Sequence, residues 1–342
     1  MEKPSTILNQ LIGLMLPEIE GELERSLHEL QRGELEGLYQ MFAYHLGWQG
    51  EGAGPEARGK RVRPLLLLLT TAAAGGVWED ALPAAAAVEL IHNFSLIHDD
   101  IEDNSPTRRG RVTVWKKWGI AQAINAGDSM FTLAHLSLLR MEKALPAASV
   151  LQAASILHRT CLHLTEGQYL DISYEGRGDL TLEAYWSMVS GKTAALLSAC
   201  TELGALAAGA SAGRQENFRE FGRYLGLAFQ AKDDLLGIWG DSALTGKSAE
   251  SDLLSGKKSL PVLYGLGLRG AFAERWEGGQ ILAEEVASLA AQLKAEGAFD
   301  YTEEAVGRLT NQALRSLENA APQGDAGRAL YALADKLLSR QS

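Results

Sequence analysis

Thiols are scarce in this chain: 342 residues hold two cysteines, Cys161 and Cys200. Both stand in apolar, helix-compatible surroundings, so a disulfide framework is excluded and buried, reduced thiols are expected. Long apolar runs are missing as well. The longest, Pro64 to Gly76, falls short of the ~20 residues that span a bilayer. The opening residues, MEKPSTILNQ, lack the charged-then-apolar pattern of a secretory signal, and a cytoplasmic placement is expected. No strand-like alternation, fixed-period repeat or low-complexity tract is present. Positive charge is in deficit, with 32 Lys and Arg against 43 Asp and Glu and a formal net charge of −11. That balance weighs against binding to nucleic acid or to an anionic membrane surface. In so acidic a chain, the places where basic residues gather are informative.

What is present is helical periodicity in a composition ordinary for a globular protein, 46% hydrophobic and 22% charged. Leu8, Leu11, Ile12 and Met15 form one apolar stripe, and Leu23, Leu27 and Leu30 another. A glycine-rich loop at about 50–59 precedes KRVRPLLLLLTTAAAGG, a basic loop leading into a buried helix that Gly75 and Gly76 end. Further helices are predicted over about 81–103, 119–142, 147–174, 181–208 and 213–237. Others follow over about 259–270, 280–296, 301–319 and 325–339, with loops at 104–113 and 238–258. The class is all-α: one domain over 1–342, a bundle of ten or more helices with ligand sites between facing helices.

Two acidic clusters end apolar helices. In ELIHNFSLIHDDIEDNSPTRRGR, Asp99 and Asp103 are four apart and share a helix face. Asp100 lies about 100° round from Asp99. Carboxylates this close repel unless a cation lies between them, and Mg²⁺ is held by one or two carboxylates plus substrate phosphates. Arg108 and Arg109, five and six residues after Asp103, offer forked donors that match phosphate oxygens. The pattern describes a diphosphate site. The plainer alternative is a solvated helix end, which the apolar Leu90, Ile91, Phe94, Leu96 and Ile97 argue against. In FQAKDDLLGIWGD, Asp233 and Asp234 repeat the theme at a helix C-terminus, where the helix dipole disfavours acids. Gly237 stands where a third acid would be, and Asp241 returns to the same face if the helix continues. Basic candidates are Lys60, Arg61 and Arg63, then Arg108 and Arg109, Lys192, Lys247, and Lys257 with Lys258. SGKT at Lys192 is not a P-loop, because Trp186 replaces the upstream glycine and no parallel-sheet pattern surrounds it.

In order, GKRVRP, ELIHNFSLIHDDIED, RRGR, GQYLD, SGKTAAL, FQAKDD, TGKSAESD and GKKSLPV make the sequence resemble the trans-isoprenyl diphosphate synthases, the polyprenyl synthetase family, from about residue 20 to the C-terminus. The resemblance implies an isoprenoid-synthase bundle around a central apolar cavity. It also implies a Mg²⁺-dependent prenyltransferase that condenses isopentenyl diphosphate head-to-tail with an allylic diphosphate. Asp99, Asp100 and Asp103 match the first metal motif, and Asp233 and Asp234 the second, with Asp99, Asp103 and Asp233 as metal ligands. Isopentenyl diphosphate falls to Lys60, Arg63, His92 and Arg109, and the allylic diphosphate to Arg108, Lys192, Lys247 and Lys257. Thr193 and Gln230 match polar positions along the carbocation's path, and Gln168 with Asp171 matches GQxxD. A homodimer is also implied. Two positions depart from the pattern: Arg58–Gly59 in place of a glycine pair, and Gly237 in place of the last aspartate of the second motif.

Product length should be set one turn beneath Asp99, by Phe94 and Ser95. An aromatic there with a two-residue spacer in DDxxD resembles the C20 synthases, with C15 next. Two rival readings are a class I terpene cyclase, which does not need Lys60, Arg63 and Arg109, and a non-catalytic regulatory subunit, to which Gly237 is a faint pointer.

Overall fold

The computed structural model describes residues 2–31, 33–240 and 251–339. Helix accounts for almost all of the regular structure among them, and the expected all-α class with more than ten helices is found. No helix among the described residues is long and apolar enough to cross a membrane. The backbone gathers into two compact units. One comprises 1–161, 199–215 and 321–330, the other 162–198, 216–320 and 331–342.

The first unit contains α1 (Pro4–Leu27), α2 (Glu36–His45), α3 (Pro55–Arg58), α4 (Val62–Ala73), α5 (Leu82–Glu102), α6 (Val114–Trp118) and α7 (Ile120–Leu139). Leu65 to Leu69 of α4 are all buried, as a helix apolar on every side requires. Each such leucine contributes about 1.5–3 kcal/mol of transfer free energy. The Ala84–Ala87 run of α5 and Ala123, Ala126 and Ala134 of α7 are fully buried. On α7, Gly127 lies against the His98 ring of α5, where a β-carbon has no room. The polar loop expected at 104–113 carries a minimal hairpin, β1 (Thr107–Arg108) antiparallel to β2 (Arg111–Val112). Its turn residues Arg109 and Gly110 both take positive φ, 51° and 72°, the geometry that suits a two-residue hairpin. Strands of two residues leave no alternation for a sequence reading to detect.

The second unit holds the later part of α8 (Ala147–Glu175), α9 (Leu182–Val189), a π-helical turn at Ser190–Ala194, the start of α10 (Ala195–Ala207) and most of α11 (Ala212–Trp239). Thr181 caps α9 by accepting from the Ala184 N–H at 3.3 Å. Helices Ser251–Leu254, Leu260–Leu268, Ala271–Glu277, Val286–Ala295 and Ala298–Asn319 follow. Ile238, Leu253, Val262, Phe272, Leu289 and Leu293 share one core. Helix α11 runs through Gly237 to Trp239, past its expected end. The region expected as loop at 238–258 includes a helical turn at Ser251–Leu254, pinned by fully buried Leu253. Arg269, at φ 54°, stops the next helix at Leu268, and the short helix after it had been obscured by flanking glycines.

Candidate active site

In the first unit, α5 delivers its acids unequally. Asp99 and Asp103 lie one turn apart at its end, bridged by the Asp103 N–H donating to the Asp99 carbonyl at 2.8 Å. Asp100 points inward and is 1% exposed. Its Oδ1 accepts from Arg108 Nε at 2.7 Å, while its buried Oδ2 has no hydrogen-bond partner among the described residues. Burial pushes the Asp100 carboxyl above its usual range, and the Arg108 guanidinium opposes that rise. Asp100 therefore orients Arg108.

Beneath them lies a basic cluster. Arg61 is consumed structurally: buried, with φ 46°, it pairs with Glu20 at 2.8 Å and Glu89 at 2.9 Å. Arg63 has a buried Nε with no partner among the described residues. Arg109 donates to the Ala57 carbonyl at 3.0 Å. Its guanidinium lies so close over Gly59 that a β-carbon there would meet it at 2.9 Å, which explains the glycine of GKRVRP. Burial, then the charges of Arg63, Arg109 and Arg108, drive the His92 pKa well below the imidazole range. The ring is therefore a neutral hydrogen-bonding group at physiological pH. Lys60 is exposed. His45, which the sequence reading missed, joins this cluster. Burial and the neighbouring arginines lower its pKa to about 3, its Nε2 is buried without a partner among the described residues, and it lines a pocket with Ala57, Asp100, Arg108 and Arg109. Arg111 gives its donors to the carbonyls of Tyr44, Gln49 and Glu51 and so folds the glycine-rich loop. Crowded guanidinium groups with unused buried donors form a cradle for an anion.

The second unit repeats this division. Asp234 is 1% exposed and is fully engaged. Its Oδ2 accepts from the Tyr185 hydroxyl at 2.6 Å and the Leu260 N–H at 2.9 Å, and its Oδ1 from Gln230 Nε2 at 2.9 Å. Thr193 donates to Gln230 Oε1 at 2.8 Å, so Thr193, Gln230 and Asp234 form a relay. Asp233, partly exposed, has no ion pair or side-chain hydrogen bond among the described residues. Lys192 pairs with Asp171. The two meet because Gly167 of α8 and Gly191 of the π-helical turn touch backbone to backbone; a β-carbon on Gly191 would lie 2.5 Å from the His163 carbonyl oxygen. The SGKT glycine thus serves packing, not the exposure of N–H groups to phosphate. Lys257 lies 3.6 Å from Asp234 and 3.8 Å from Asp252. Lys258 instead caps α8, donating to the Tyr174 and Glu175 carbonyls at 2.7 Å. Lys247 and Asp241 lie outside the described residues.

Below Asp99, Phe94 meets Phe131 of α7 edge-on, with centroids 5.1 Å apart, and His98 at 5.6 Å. Ser95 turns its hydroxyl back to the His92 carbonyl at 2.8 Å. The aromatic partner Phe131 comes from a separate helix and carried no signal in the motif.

Among the described residues, no three His, Cys, Asp or Glu side chains gather closely enough to hold a bare metal ion. Paired carboxylates and an orphaned buried carboxylate oxygen do occur, and they fit Mg²⁺ arriving with diphosphate oxygens that complete its octahedron. This geometry has known relatives. The polyprenyl synthetase family model matches residues 54–283. The (2E,6E)-farnesyl diphosphate synthase of Mycobacterium tuberculosis is 46% identical over 235 residues, which are 68% of this chain and 64% of that one. The chain thus spans just under two thirds of that relative's length. The crystal structure of geranylgeranyl pyrophosphate synthetase from Pyrococcus horikoshii superposes with a TM-score of 0.88 at 31% identity, covering 99% of this chain and 100% of the other. A polyprenyl synthase from Caulobacter crescentus, complexed with calcium and isoprenyl diphosphate, superposes with a TM-score of 0.81 at 28% identity over 98% of each chain. With the motifs in order along the chain and the fold matched over nearly its full length, this chain belongs to the polyprenyl synthetase family.

Proposed function

We propose that the protein is a short-chain trans-isoprenyl diphosphate synthase that adds isopentenyl diphosphate to an allylic diphosphate, working as one domain over residues 1–342. The observation that carries this reading is the shared division within both acidic motifs. In each, the second aspartate is buried and spent on a neighbouring donor, Asp100 on Arg108 and Asp234 on Tyr185, while the outer acids remain toward solvent.

Asp99, Asp103 and Asp233 would hold Mg²⁺, which when bound stabilises charge on the departing diphosphate. Arg108, Lys192, Lys247 and Lys257 bind that diphosphate and stabilise the charge that develops as the allylic C–O bond breaks. Lys60, Arg63, His92 and Arg109 hold the isopentenyl diphosphate, with His92 neutral as a hydrogen-bond donor. Thr193 and Gln230, tied to each other and to Asp234, set polar oxygens along the carbocation's path. The isopentenyl double bond attacks the cation, and the proton lost afterwards passes to the released diphosphate, so no side-chain base is required. Phe94, backed by Phe131, closes the chain channel and favours a C20 product, with C15 next. A homodimer belongs to the same reading: α7 leaves Ile120, Ile124, Leu136 and Leu139 exposed, and sedimentation velocity tests it.

Incubating the purified protein with labelled isopentenyl diphosphate, each allylic primer and Mg²⁺, then sizing the products, tests the activity. C15 or C20 prenyl diphosphate is expected. No condensation with any primer would leave the regulatory-subunit reading in its place.

A further inference from the structure

The second acidic motif lacks its last carboxylate, because position 237 is glycine. The space that a side chain there would fill is not empty. A β-carbon built on Gly237 would lie 2.5 Å from Asp252 Oδ2, 2.7 Å from its Cγ and 3.0 Å from its Oδ1. The Asp252 carboxylate therefore occupies the place of a residue-237 side chain. On a helix, positions 233 and 237 share a face with β-carbons about 5–6 Å apart. Asp252 brings its charge within one turn of Asp233 from a different segment of the chain.

Its position is built in. Leu253 is fully buried beside Ile238 in the core of the second unit. The Asp252 carbonyl accepts from the Lys257 N–H at 2.9 Å and from Ser255 Oγ at 3.2 Å. The Asp252 side chain is only 14% exposed, and Lys257 Nζ lies 3.8 Å from its Oδ2. Lys257 Nζ also lies 3.6 Å from Asp234 Oδ1, so carboxylates from α11 and from Ser251–Leu254 converge on one side chain, and a divalent cation beside Asp233 would ease their repulsion. Asp234 is not available to such a cation, because its oxygens are committed to Tyr185, Leu260 and Gln230.

We propose that Asp252 supplies the carboxylate that Gly237 withholds, and with Asp233 holds a divalent cation that enters with the allylic diphosphate. The proposal rests on the reading of Asp233 as a metal ligand. The plainer role for Asp252 is that of a counter-ion, and the two roles separate experimentally.

Bound Mn²⁺ is counted by electron paramagnetic resonance with inorganic diphosphate present, for the wild type, Asp233→Asn, Asp252→Asn, Gly237→Ala and the exchange variant Gly237→Asp/Asp252→Asn. Melting temperatures are taken alongside. Asp252→Asn is expected to weaken Mn²⁺ binding at least about tenfold, and the exchange variant to recover most of it. Gly237→Ala, which favours helix but displaces the carboxylate, is expected to weaken Mn²⁺ binding while α11 stays folded, so the proposal stays testable if Asp252→Asn does not fold. Wild-type Mn²⁺ affinity in Asp252→Asn and Gly237→Ala, with loss only in Asp233→Asn, overturns the role of Asp252 and leaves the second motif standing. Wild-type affinity in Asp233→Asn as well overturns both.

Discussion

Asp234 accepts the phenolic hydrogen of Tyr185 at 2.6 Å, across 49 residues of sequence. The same oxygen receives the Leu260 N–H, the first turn of the next long helix. Asp234 is therefore a brace between helices, whereas its neighbour Asp233, partly exposed, is the one proposed to hold the cation. Asp234→Ala should cost about 3 kcal/mol of stability, because it strands buried donors. Asp233→Ala should cost under about 1 kcal/mol, because Asp233 is partly exposed and braces nothing among the described residues, yet lower turnover by about 10³-fold or more. Calorimetry beside steady-state kinetics separates the two, and equal stability losses would contradict the division.

Asp99→Ala or Asp103→Ala should lower turnover by orders of magnitude while the circular dichroism spectrum and melting temperature stay as in the wild type. Asp100→Ala should differ from both, since it frees Arg108 and costs stability as well. A wild-type rate for Asp99→Ala in saturating Mg²⁺ would contradict the assignment.

Phe94→Ala should lengthen the product. Phe131 packs edge-on behind Phe94, so Phe131→Ala should also lengthen it, by less, and the double variant should do so more than either. Chromatographic sizing of products reads this out. A fixed spectrum in the double variant would put the floor of the channel elsewhere.

Acid should loosen the first unit before it titrates ordinary carboxylates. The unfolded chain protonates the His45 ring near 6.5, whereas the folded chain holds it neutral down to about 3. Below pH 6.5 the unfolded state binds more protons, so stability falls with pH, by about 2 kcal/mol at pH 5 from this ring alone. His92, also lowered, acts with the same sign. Urea denaturation at pH 7 and pH 5 should show this slope, and His45→Asn should flatten it.

Sequence alone made the helices and the two acidic motifs legible, because each needs only local spacing. Asp99 and Asp103 share a face by helical arithmetic, and Leu65 to Leu69 announce a buried helix. The unequal roles within each pair were not legible. Asp100 and Asp234 differ from Asp99 and Asp233 through partners 8 and 49 residues away, which no local pattern encodes. His45 was missed for the same reason: its neighbours Arg108 and Arg109 arrive from a hairpin more than sixty residues on. Gly237 read as a loss, because the Asp252 carboxylate comes to lie against it only in three dimensions. Lys258 was indistinguishable from Lys257 by type and spacing, yet one caps a helix and the other faces carboxylates.

Gly167 and Gly191 meet with no side chain between them. Such a crossing has no slack. Sliding α8 by even one residue would drive Gln168 or Glu166 into the π-helical turn that carries Lys192 and Thr193. Any relative motion of the two segments must then turn about the crossing as a pivot, since lengthwise travel is blocked. Lys192 is thereby held at a fixed height along α8.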